Sequence, residues 1–243
     1  MHDGAKLRPG TLYLIPTPLG DGPLDALLPA QVQRVARELR HFVAERPKTA
    51  RAFLKSVGVG IPLNEICVEV LDEHTPSEAI AALMDPLLAG SDVGLVSEAG
   101  CPAIADPGAH LVALAHQRGI TVRPLIGPSS ILLALMGSGL EGQRFAFHGY
   151  LPADRAGRVT RIQELERLSN QHRQTQIFIE TPYRNNALLK DLLASCAAAT
   201  RLCLAVDLTT EQEFIRTQSV AAWRKVAPDL DRRPTVFLLL KGG

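Results

Sequence analysis

The sequence has few cysteines, few aromatic residues and almost no net charge. Its four cysteines lie far apart and form no CxxC pair. This spacing argues against disulfides and against a zinc site, and it indicates a reducing cytoplasm. The 26 Lys and Arg residues against 25 Asp and Glu leave a net charge of +1. No global basic footprint therefore marks a nucleic-acid-binding protein, although a local patch is compatible with this balance.

Long apolar runs and two familiar nucleotide motifs are also absent. No stretch reaches the length of a membrane-spanning helix, so we expect no membrane association. Residues 1–9 lack the apolar core of a signal peptide, and we expect them to be disordered. The loop at residues 17–23 contains neither GxGxxG nor GxxxxGK[ST]. This excludes a Rossmann fingerprint and a P-loop there.

Short apolar runs alternate with helical stretches along most of the chain. Hydrophobic residues make up 46% of the 243 positions, enough for one large or two smaller α/β domains. Runs such as residues 11–16 and 93–96 suit buried parallel strands, whereas the end of the chain looks antiparallel. We place a boundary at the IGPSS turn, which predicts α/β domains over residues 10–126 and 127–243. The first sheet is expected to be mainly parallel and the second mixed.

The stretch VGLVSEAGCPAIADPG at residues 93–108 combines several features of a ligand crevice. A short apolar strand leads into Ser97 and Glu98, and small residues follow that let a backbone approach a ligand. Asp106 and Pro107 match the N-cap and the first position of a helix. Taken alone, the stretch fits a cofactor crevice and an ordinary strand-to-helix turn about equally well.

Helix-starting prolines follow several strands and place polar residues at similar junctions. In a parallel α/β sheet such junctions gather at the carboxyl edge, where ligands bind. Each polar residue could simply cap a helix, but for the set as a whole we favour a shared cleft. The residues are Glu45, Glu98, Asp106, Ser129, Ser130, Glu180 and Thr181.

Five blocks of the sequence resemble the signature blocks of a known family, in the same order. They read TLYLIPTPLGD, VGLVSEAGCPAIADPG, PLIGPSS, FAFHGYLP and IFIETPYRN. The family is the tetrapyrrole methylase superfamily, the class III S-adenosylmethionine-dependent methyltransferases. The most similar branch contains the ribosomal small-subunit RNA cytidine 2′-O-methyltransferase. The resemblance spans residues 11 to about 241.

The resemblance implies two α/β domains that hold S-adenosylmethionine in the cleft between them, and a homodimer. It also implies which positions contact the cofactor. They are Pro16, Ser97, Glu98, Ala99, Gly100, Ala103, Ile104, Asp106, Ser129, Ser130, Leu151, Glu180, Thr181, Pro234 and Thr235.

Two departures from the family pattern point to a sibling subgroup of the RNA methyltransferase. That branch has a Glu-Asp-Thr-Arg-like motif where residues 44–51 read AERPKTAR, which keeps the acid as Glu45 but loses the order after it. Residues 20–23 read GDGP in place of a Gly-Asn-containing loop. These departures leave the methyl acceptor open.

A methyl group on a sulfonium is already activated, so the protein needs to align the reactants and exclude water more than it needs a catalytic triad. A hydroxyl acceptor would still benefit from a general base. The candidates are Glu45, Lys48, His74 and Glu98. For His74, which ends a strand just before a helix, a surface position is the alternative.

Two basic groupings could contact phosphates, although either could be a solvated helix face. The first, within residues 34–55, comprises Arg34, Arg37, Arg40, His41, Arg46, Lys48, Arg51 and Lys55. The second places Arg155, Arg158 and Arg161 at helical spacing.

Three hypotheses about function follow from the sequence. The first is an S-adenosylmethionine-dependent methyltransferase that acts on RNA. The second is a methyltransferase for a small, tetrapyrrole-like acceptor, which the 5% aromatic content disfavours. The third is a non-catalytic nucleotide-binding regulatory module.

Overall fold

The computed structural model describes residues 8–242 and divides the chain into two compact units. Unit 1 ends at Pro128 and unit 2 begins at Ser129. Of the stretch at residues 1–9 that we expect to be disordered, residues 1–7 lie outside the described range. Within that range, no helix is long and apolar enough to cross a membrane.

Unit 1 is built on a five-stranded parallel sheet in the order β3-β2-β4-β1-β5. The strands are β1 (Thr11–Ile15), β2 (His41–Ala44), β3 (Cys67–Val70), β4 (Val93–Val96) and β5 (Thr121–Pro124). The helices are α1 (Leu24–Leu27), α2 (Ala30–Glu38), α3 (Pro47–Val57), α4 (Ser77–Ala82), α5 (Asp85–Leu88) and α6 (Ala109–Gln117). A 3-10 turn covers Leu63–Glu65. The predicted parallel sheet is confirmed.

Helices cover both faces of this sheet, which is why its central strands read as continuous apolar runs. On one face α2 and α3 bury residues such as Val32 and Leu54 against Phe42. On the other face α5 and α6 bury Leu87 and Leu111, together with inward-facing strand residues. Each fully buried leucine of this kind contributes about 1.5–3 kcal/mol of transfer free energy.

The neighbouring strands β1 and β4 form a topological switch point. After β1 the chain leads into α2, which packs on one face of the sheet, and after β4 it leads into α6, which packs on the other. These connections diverge at the carboxyl ends of the two strands. Open α/β sheets bind ligands at such a point.

Unit 2 carries a five-stranded sheet in the order β6-β7-β10-β8-β9. The strands are β6 (Phe145–Tyr150), β7 (Thr175–Ile179), β8 (Arg201–Val206), β9 (Phe214–Ser219) and β10 (Thr235–Leu240). The helices are α7 (Ser130–Ser138), α8 (Arg155–His172), α9 (Asn185–Ser195) and α10 (Val220–Trp223), with a 3-10 turn over Pro182–Arg184. Strands β6 and β7 pair in parallel, whereas the other neighbouring pairs are antiparallel. The predicted mixed sheet, and with it the α/β fold class, is confirmed.

The core of unit 2 lies mainly between the sheet and helices α8, α9 and α10. Phe178 and Phe237 stack there with ring centroids 5.9 Å apart. Trp223 is buried beside them and donates its indole N–H to the Leu202 carbonyl at 2.8 Å. Helix α7 packs against β8, β9 and β10. The core residues of unit 1 all belong to unit 1, and those of unit 2 all belong to unit 2. Each unit therefore has its own hydrophobic core.

The predicted helix start at Asp106 and Pro107 is wrong. Helix α6 begins at Ala109, and the chain from residue 101 to residue 108 forms irregular turns. The Asp106 carboxylate accepts a hydrogen bond from the Gly108 N–H at 3.2 Å. Asp and Asn side chains often bond the backbone two residues on, which stabilises a turn instead of a helix cap.

Candidate functional site

The loops that follow β1 and β4 are joined by a short antiparallel bridge. Thr17 and Gly100 exchange two backbone hydrogen bonds, each of 3.0 Å. The Thr17 hydroxyl lies 3.2 Å from the Ser97 carbonyl oxygen, and the Ser97 hydroxyl donates to the Gly100 carbonyl at 2.7 Å. The predicted residues Ser97 and Gly100 therefore lie beside Thr17, which the sequence reading did not select although it directly follows Pro16.

Gly100 occupies a position that a side chain would strain. Its φ is +79°, and a Cβ there would lie 3.0 Å from the Leu19 Cδ2 and 3.4 Å from the Pro128 carbonyl oxygen. Gly127 is tighter still, because a Cβ would lie 2.2 Å from the Pro16 Cγ. Both glycines therefore allow the loops at this edge of the sheet to pack closely against each other.

The remainder of the β4 loop combines backbone strain with exposed apolar side chains. Ala103 and Ala105 have φ values of +64° and +56°, a region that alanine rarely adopts. Ile104 between them is 51% exposed, and Ile126 after β5 is 77% exposed. Strained backbone clusters at functional sites, and exposed apolar side chains at a sheet edge suit an apolar part of a ligand. Ile126 was not among the predicted site residues.

Several carboxylates gather at the same edge. The Arg46 guanidinium lies 3.9 Å from the Glu98 carboxylate and 4.0 Å from that of Glu45. Burial raises the pKa of Glu45, Arg46 opposes this increase, and the nearby acids Glu98, Asp106 and Asp72 add to it. Burial likewise raises the pKa of Asp106, against hydrogen bonds from backbone N–H groups. The edge is therefore electronegative and suits a cationic ligand group.

Three of the four candidate bases, Glu45, His74 and Lys48, lie in different surroundings. Glu45 is half-buried beside Glu98, as described above. The His74 side chain is 84% exposed and lies 3.5 Å from Glu73, beyond the edge strand β3. Lys48 lies in the first turn of α3, exposed to solvent. The structure thus brings Glu45, and neither of the other two, beside the carboxylates of the β4 loop.

In unit 2 the predicted residue Glu180 directly follows β7, and its side chain is fully buried. Its Oε1 accepts hydrogen bonds from the Thr181 N–H at 2.7 Å and from the Arg184 Nη2 at 2.6 Å. Its Oε2 is buried without a hydrogen-bond partner in the described part of the chain. Because an unsatisfied buried carboxylate oxygen is costly, this atom is suited to a hydrogen-bond donor from a ligand.

Two more buried oxygens of unit 2, Asn185 Oδ1 and Thr209 Oγ1, have no partner within residues 8–242. Asn185 lies at the start of α9, where its amide donates to the Arg233 carbonyl at 2.6 Å. Arg233 in turn contacts Asp207 at 2.6 Å, just after β8. The sequence reading missed these residues, although Asn185 closes the IFIETPYRN block.

The strand register explains why these groups meet. Residue Thr235 at the start of β10 pairs with Val206 at the end of β8, and Val236 pairs with Ile179 at the end of β7. The predicted residues Pro234 and Thr235 therefore lie at the same edge as Glu180. The Pro234 carbonyl accepts the Asp207 N–H, and the Thr235 hydroxyl donates to the Arg233 carbonyl, both at 2.9 Å.

The remaining predicted residues of unit 2 have local structural roles. Ser129 is the N-cap of α7, and its hydroxyl accepts the Leu132 N–H at 3.5 Å. Ser130 is the first residue of that helix. Leu151 is buried in the core of unit 2, so only its backbone is left for a ligand.

The basic stripe predicted at Arg155, Arg158 and Arg161 is wrong as a free surface. Arg158 is buried and contacts Asp191 at 2.7 Å, and Arg155 contacts the same carboxylate at 3.1 Å. Arg161 contacts Glu164 at 2.5 Å. The helical spacing places the three arginines close together, but each of them is paired with an acid, so they do not form a row of unpaired cations.

No metal centre is formed by the residues that the structure describes. Within residues 8–242, no group of three or more His, Cys, Asp or Glu side chains could hold a metal ion. The four cysteines are all free thiols.

The sequence matches the family of Tetrapyrrole (Corrin/Porphyrin) Methylases over residues 11–222. Two similar proteins are both named Ribosomal RNA small subunit methyltransferase I. The one from Pseudomonas aeruginosa is 35% identical over 235 residues, covering 96% of this chain and 79% of the relative. The one from Vibrio cholerae is 33% identical over 245 residues, covering 96% of this chain and 77% of the relative.

Solved structures agree on the fold. The methyltransferase CobJ superposes with a TM-score of 0.62 at 18% identity, covering 96% of this chain and 93% of that one. Uroporphyrin-III-C-methyltransferase from Thermus thermophilus gives a TM-score of 0.56 at 20% identity, with coverages of 96% and 92%. With the family match spanning most of the sequence and relatives above 30% identity over nearly all of it, the chain belongs to the tetrapyrrole methylase family and is a methyltransferase.

Proposed function

We propose that this protein transfers the methyl group of S-adenosylmethionine to a ribose 2′-oxygen in the RNA of the small ribosomal subunit. The observation that carries the cofactor assignment is the pair of loops joined by Thr17 and Gly100 at the switch point of unit 1. The RNA assignment rests on the relatives named Ribosomal RNA small subunit methyltransferase I. The same resemblance supports a cytoplasmic homodimer.

The residues of the β4 loop fit the methyl donor. Its sulfonium and α-ammonium groups are cationic, and the carboxylates of Glu98 and Asp106 lie at this edge beside Glu45. Gly100 and the small residues Ala99 and Ala103 allow close backbone approach, and the exposed Ile104 offers an apolar surface. These residues, with Pro16 and Ser97, are our proposed cofactor contacts in unit 1.

Unit 2 offers acceptors for the polar groups of the cofactor. The unpartnered oxygens of Glu180 and Asn185 need hydrogen-bond donors, which the amino and hydroxyl groups of an adenosine supply. Thr181, Pro234 and Thr235 lie at the same edge, and we propose that they contribute mainly backbone contacts. Ser129, Ser130 and Leu151 complete the set.

We further propose Glu45 as the general base for the acceptor hydroxyl. The bound cofactor supplies an activated methyl group, so the protein has to orient the hydroxyl, exclude water and accept one proton. Burial raises the pKa of Glu45 above its ordinary value, which makes its carboxylate a better proton acceptor. Arg46, 4.0 Å away, stabilises the ionised form. His74 and Lys48 remain weaker candidates because both are exposed.

The proposal is tested first by calorimetry with S-adenosylmethionine and then by transfer of a labelled methyl group. Small ribosomal subunits from a strain that lacks this gene serve as the acceptor, with a metabolite extract in parallel. We expect micromolar or tighter cofactor binding and label in the RNA, at a ribose whose 3′-phosphodiester bond resists alkaline hydrolysis. Label only in small molecules would reject the RNA substrate, and cofactor binding without any transfer would favour a regulatory module.

A further inference from the structure

Helix α3 presents a row of cations on the side opposite its buried face. Lys48, Arg51 and Lys55 are all exposed and are spaced three and four residues apart, so they share one side of the helix. The opposite side buries Ala50, Phe53, Leu54 and Val57 in the core of unit 1. The cations therefore point away from the protein by necessity, since the apolar pattern of the helix determines its orientation.

Nothing on the helix balances these charges. The sequence of α3, PKTARAFLKSV, contains no acidic residue. Within the described residues Lys48 and Lys55 make no ion pair, and the positive charge of Arg51 acts to lower the pKa of the Cys67 thiol against the larger effect of burial. Like charges three and four residues apart destabilise a helix, so the arrangement is unfavourable unless an external anion approaches it.

The neighbouring helix extends the same surface. Helices α2 and α3 pack side by side, and the Arg37 guanidinium of α2 donates to the Val57 carbonyl at the end of α3 at 2.7 Å. Arg34, one turn earlier on α2, is exposed. We define the basic face as Arg34, Lys48, Arg51 and Lys55.

Two helices on the other face of the sheet are acidic. Helices α4 and α5 pack on the other face of the sheet and carry the acids Glu78 and Asp85. The sequence from Ser77 through Leu88 contains no Lys or Arg. The near-zero net charge of the chain is therefore compatible with a local concentration of positive charge on α3.

The basic face also begins next to the candidate site. Helix α3 starts two residues after Glu45, at the carboxyl edge of the sheet, and runs back along it. At the rise of an α-helix, Lys48 and Lys55 lie about 10 Å apart along its axis. A strand of nucleic acid along α3 would thus have one end at the proposed general base.

We propose that the basic face binds the sugar-phosphate backbone of the RNA substrate and directs it toward the carboxyl edge of unit 1. This inference rests on the proposed function, because it assigns a surface to the substrate of the same site. Phosphates neutralise the row of like charges, and the release of their counterions makes the binding strongly dependent on salt.

The test compares two triple variants of the full-length protein. One removes three cations of the basic face, Arg34→Gln, Arg51→Gln and Lys55→Gln. The matched control removes three exposed arginines elsewhere in unit 1, Arg8→Gln, Arg118→Gln and Arg123→Gln. RNA affinity is measured over a series of salt concentrations, and cofactor affinity is measured by calorimetry.

We expect the first variant to bind RNA at least about tenfold more weakly than the wild type. The magnitude of the slope of log K against log salt should be reduced by about 2. Its cofactor affinity and melting temperature should match those of the wild type, and the control should keep the wild-type slope. An unchanged slope in the first variant, while the wild type still methylates RNA, overturns the basic face alone. Failure of the wild type to methylate any RNA overturns the proposed function, and failure to bind RNA overturns both.

Discussion

Thr17 and Gly100 are joined by two backbone hydrogen bonds of 3.0 Å, although 82 residues separate them in sequence. The bridge fixes the loop after β1 to the loop after β4, at the point where the two connections diverge. A change in either loop is therefore transmitted to the other. This coupling makes Gly100 the position where cofactor binding and stability should be lost together.

Gly100→Ala should weaken both the fold and cofactor binding. The new Cβ would approach the Leu19 side chain to 3.0 Å at a φ of +79°, so the free energy of unfolding should fall by about 1 kcal/mol or more. The same shift displaces the Ser97 to Gly100 segment, and the affinity for S-adenosylmethionine should fall at least about tenfold, a loss of about 1.4 kcal/mol. Urea unfolding and calorimetry measure the two effects.

Gly119→Ala is the matched control. Gly119 has a φ of +67°, but a Cβ there would have no atom within 4 Å. It lies between α6 and β5, at the opposite edge of the sheet. This variant should lose stability without losing cofactor affinity, and wild-type affinity in Gly100→Ala would remove Gly100 from the cofactor site.

Glu45→Gln should reduce methyl transfer with little effect on cofactor affinity. Removal of a general base typically costs about 10²–10⁴ in rate. Because burial raises the pKa of Glu45, the wild-type rate should decline as the pH falls through a value above that of an ordinary glutamate. The variant should lack this acid limb. Single-turnover rates at a series of pH values measure both properties.

Glu73→Gln provides the comparison for Glu45→Gln. Glu73 lies after β3 at the same edge of the sheet, with its side chain 85% exposed. The substitution removes the same charge without removing the proposed base, so the rate and its acid limb should be unchanged. An acid limb that persists in Glu45→Gln would assign the proton transfer to another group.

Asp106→Asn should raise the melting temperature at neutral pH. Burial raises the pKa of Asp106 in the folded protein, so the folded state binds this proton more tightly than the unfolded state does. The stability that the group contributes is complete below its unfolded pKa and is lost as the pH rises through the folded pKa. The gap between variant and wild type should therefore close as the pH falls, which thermal melts at several pH values can follow.

Asp72→Asn should show the opposite sign. Hydrogen bonds from the Thr75 hydroxyl and the His74 N–H lower the pKa of Asp72, so its ionised form contributes stability that is lost as the pH falls. This variant should melt below the wild type at neutral pH, with the difference closing in acid. Equal pH profiles for the two variants would contradict the assigned environments.

Arg158→Met should be strongly destabilising, because it leaves the buried Asp191 carboxylate with Arg155 as its remaining cation. Removing one partner of a buried pair costs about 3–5 kcal/mol. Adding Asp191→Leu should recover most of this loss. Denaturant unfolding of the single and double variants measures the coupling.

Arg161→Gln tests the same helix at a pair that is partly exposed. Its partner Glu164 is about half exposed, so the loss of stability should be small beside that of Arg158→Met. RNA affinity should be unchanged in this variant, since we assign no phosphate contact to this helix. A large loss of RNA affinity would show that this helix contacts RNA phosphates despite the ion pairs of its arginines.

The strands and the loops after them could be predicted from the sequence. Residues 93–96 form β4 as expected, and the parallel sheet of unit 1 follows from continuous apolar runs. Local chemistry was also sufficient at Pro47, where α3 begins, and at Gly58, whose φ of +77° ends that helix. These features depend on residues a few positions apart.

The two errors arise from partners at different distances along the chain. Asp106 and Pro107 have the chemistry of a helix start, but the half-buried Asp106 carboxylate accepts the Gly108 N–H and supports an irregular turn instead. Arg158 has the spacing of a surface cation, but Asp191, 33 residues away, pairs with it in the interior. Sequence patterns indicate what a residue can do, whereas its partner in the fold, local for Asp106 and distant for Arg158, decides which option is taken.

The sequence by itself determined which segments form strands, where the chain turns and which family the protein belongs to. Apolar periodicity and turn chemistry depend on residues that are close together in the chain, so they can be predicted from the sequence. Only the tertiary structure decided that Thr17 bonds to Gly100 and that Arg158 is paired with the buried Asp191. It also decided that the cations of α3 face the solvent. Strand order and packing bring together groups far apart in sequence, and burial then decides which charges are satisfied and which are free to bind.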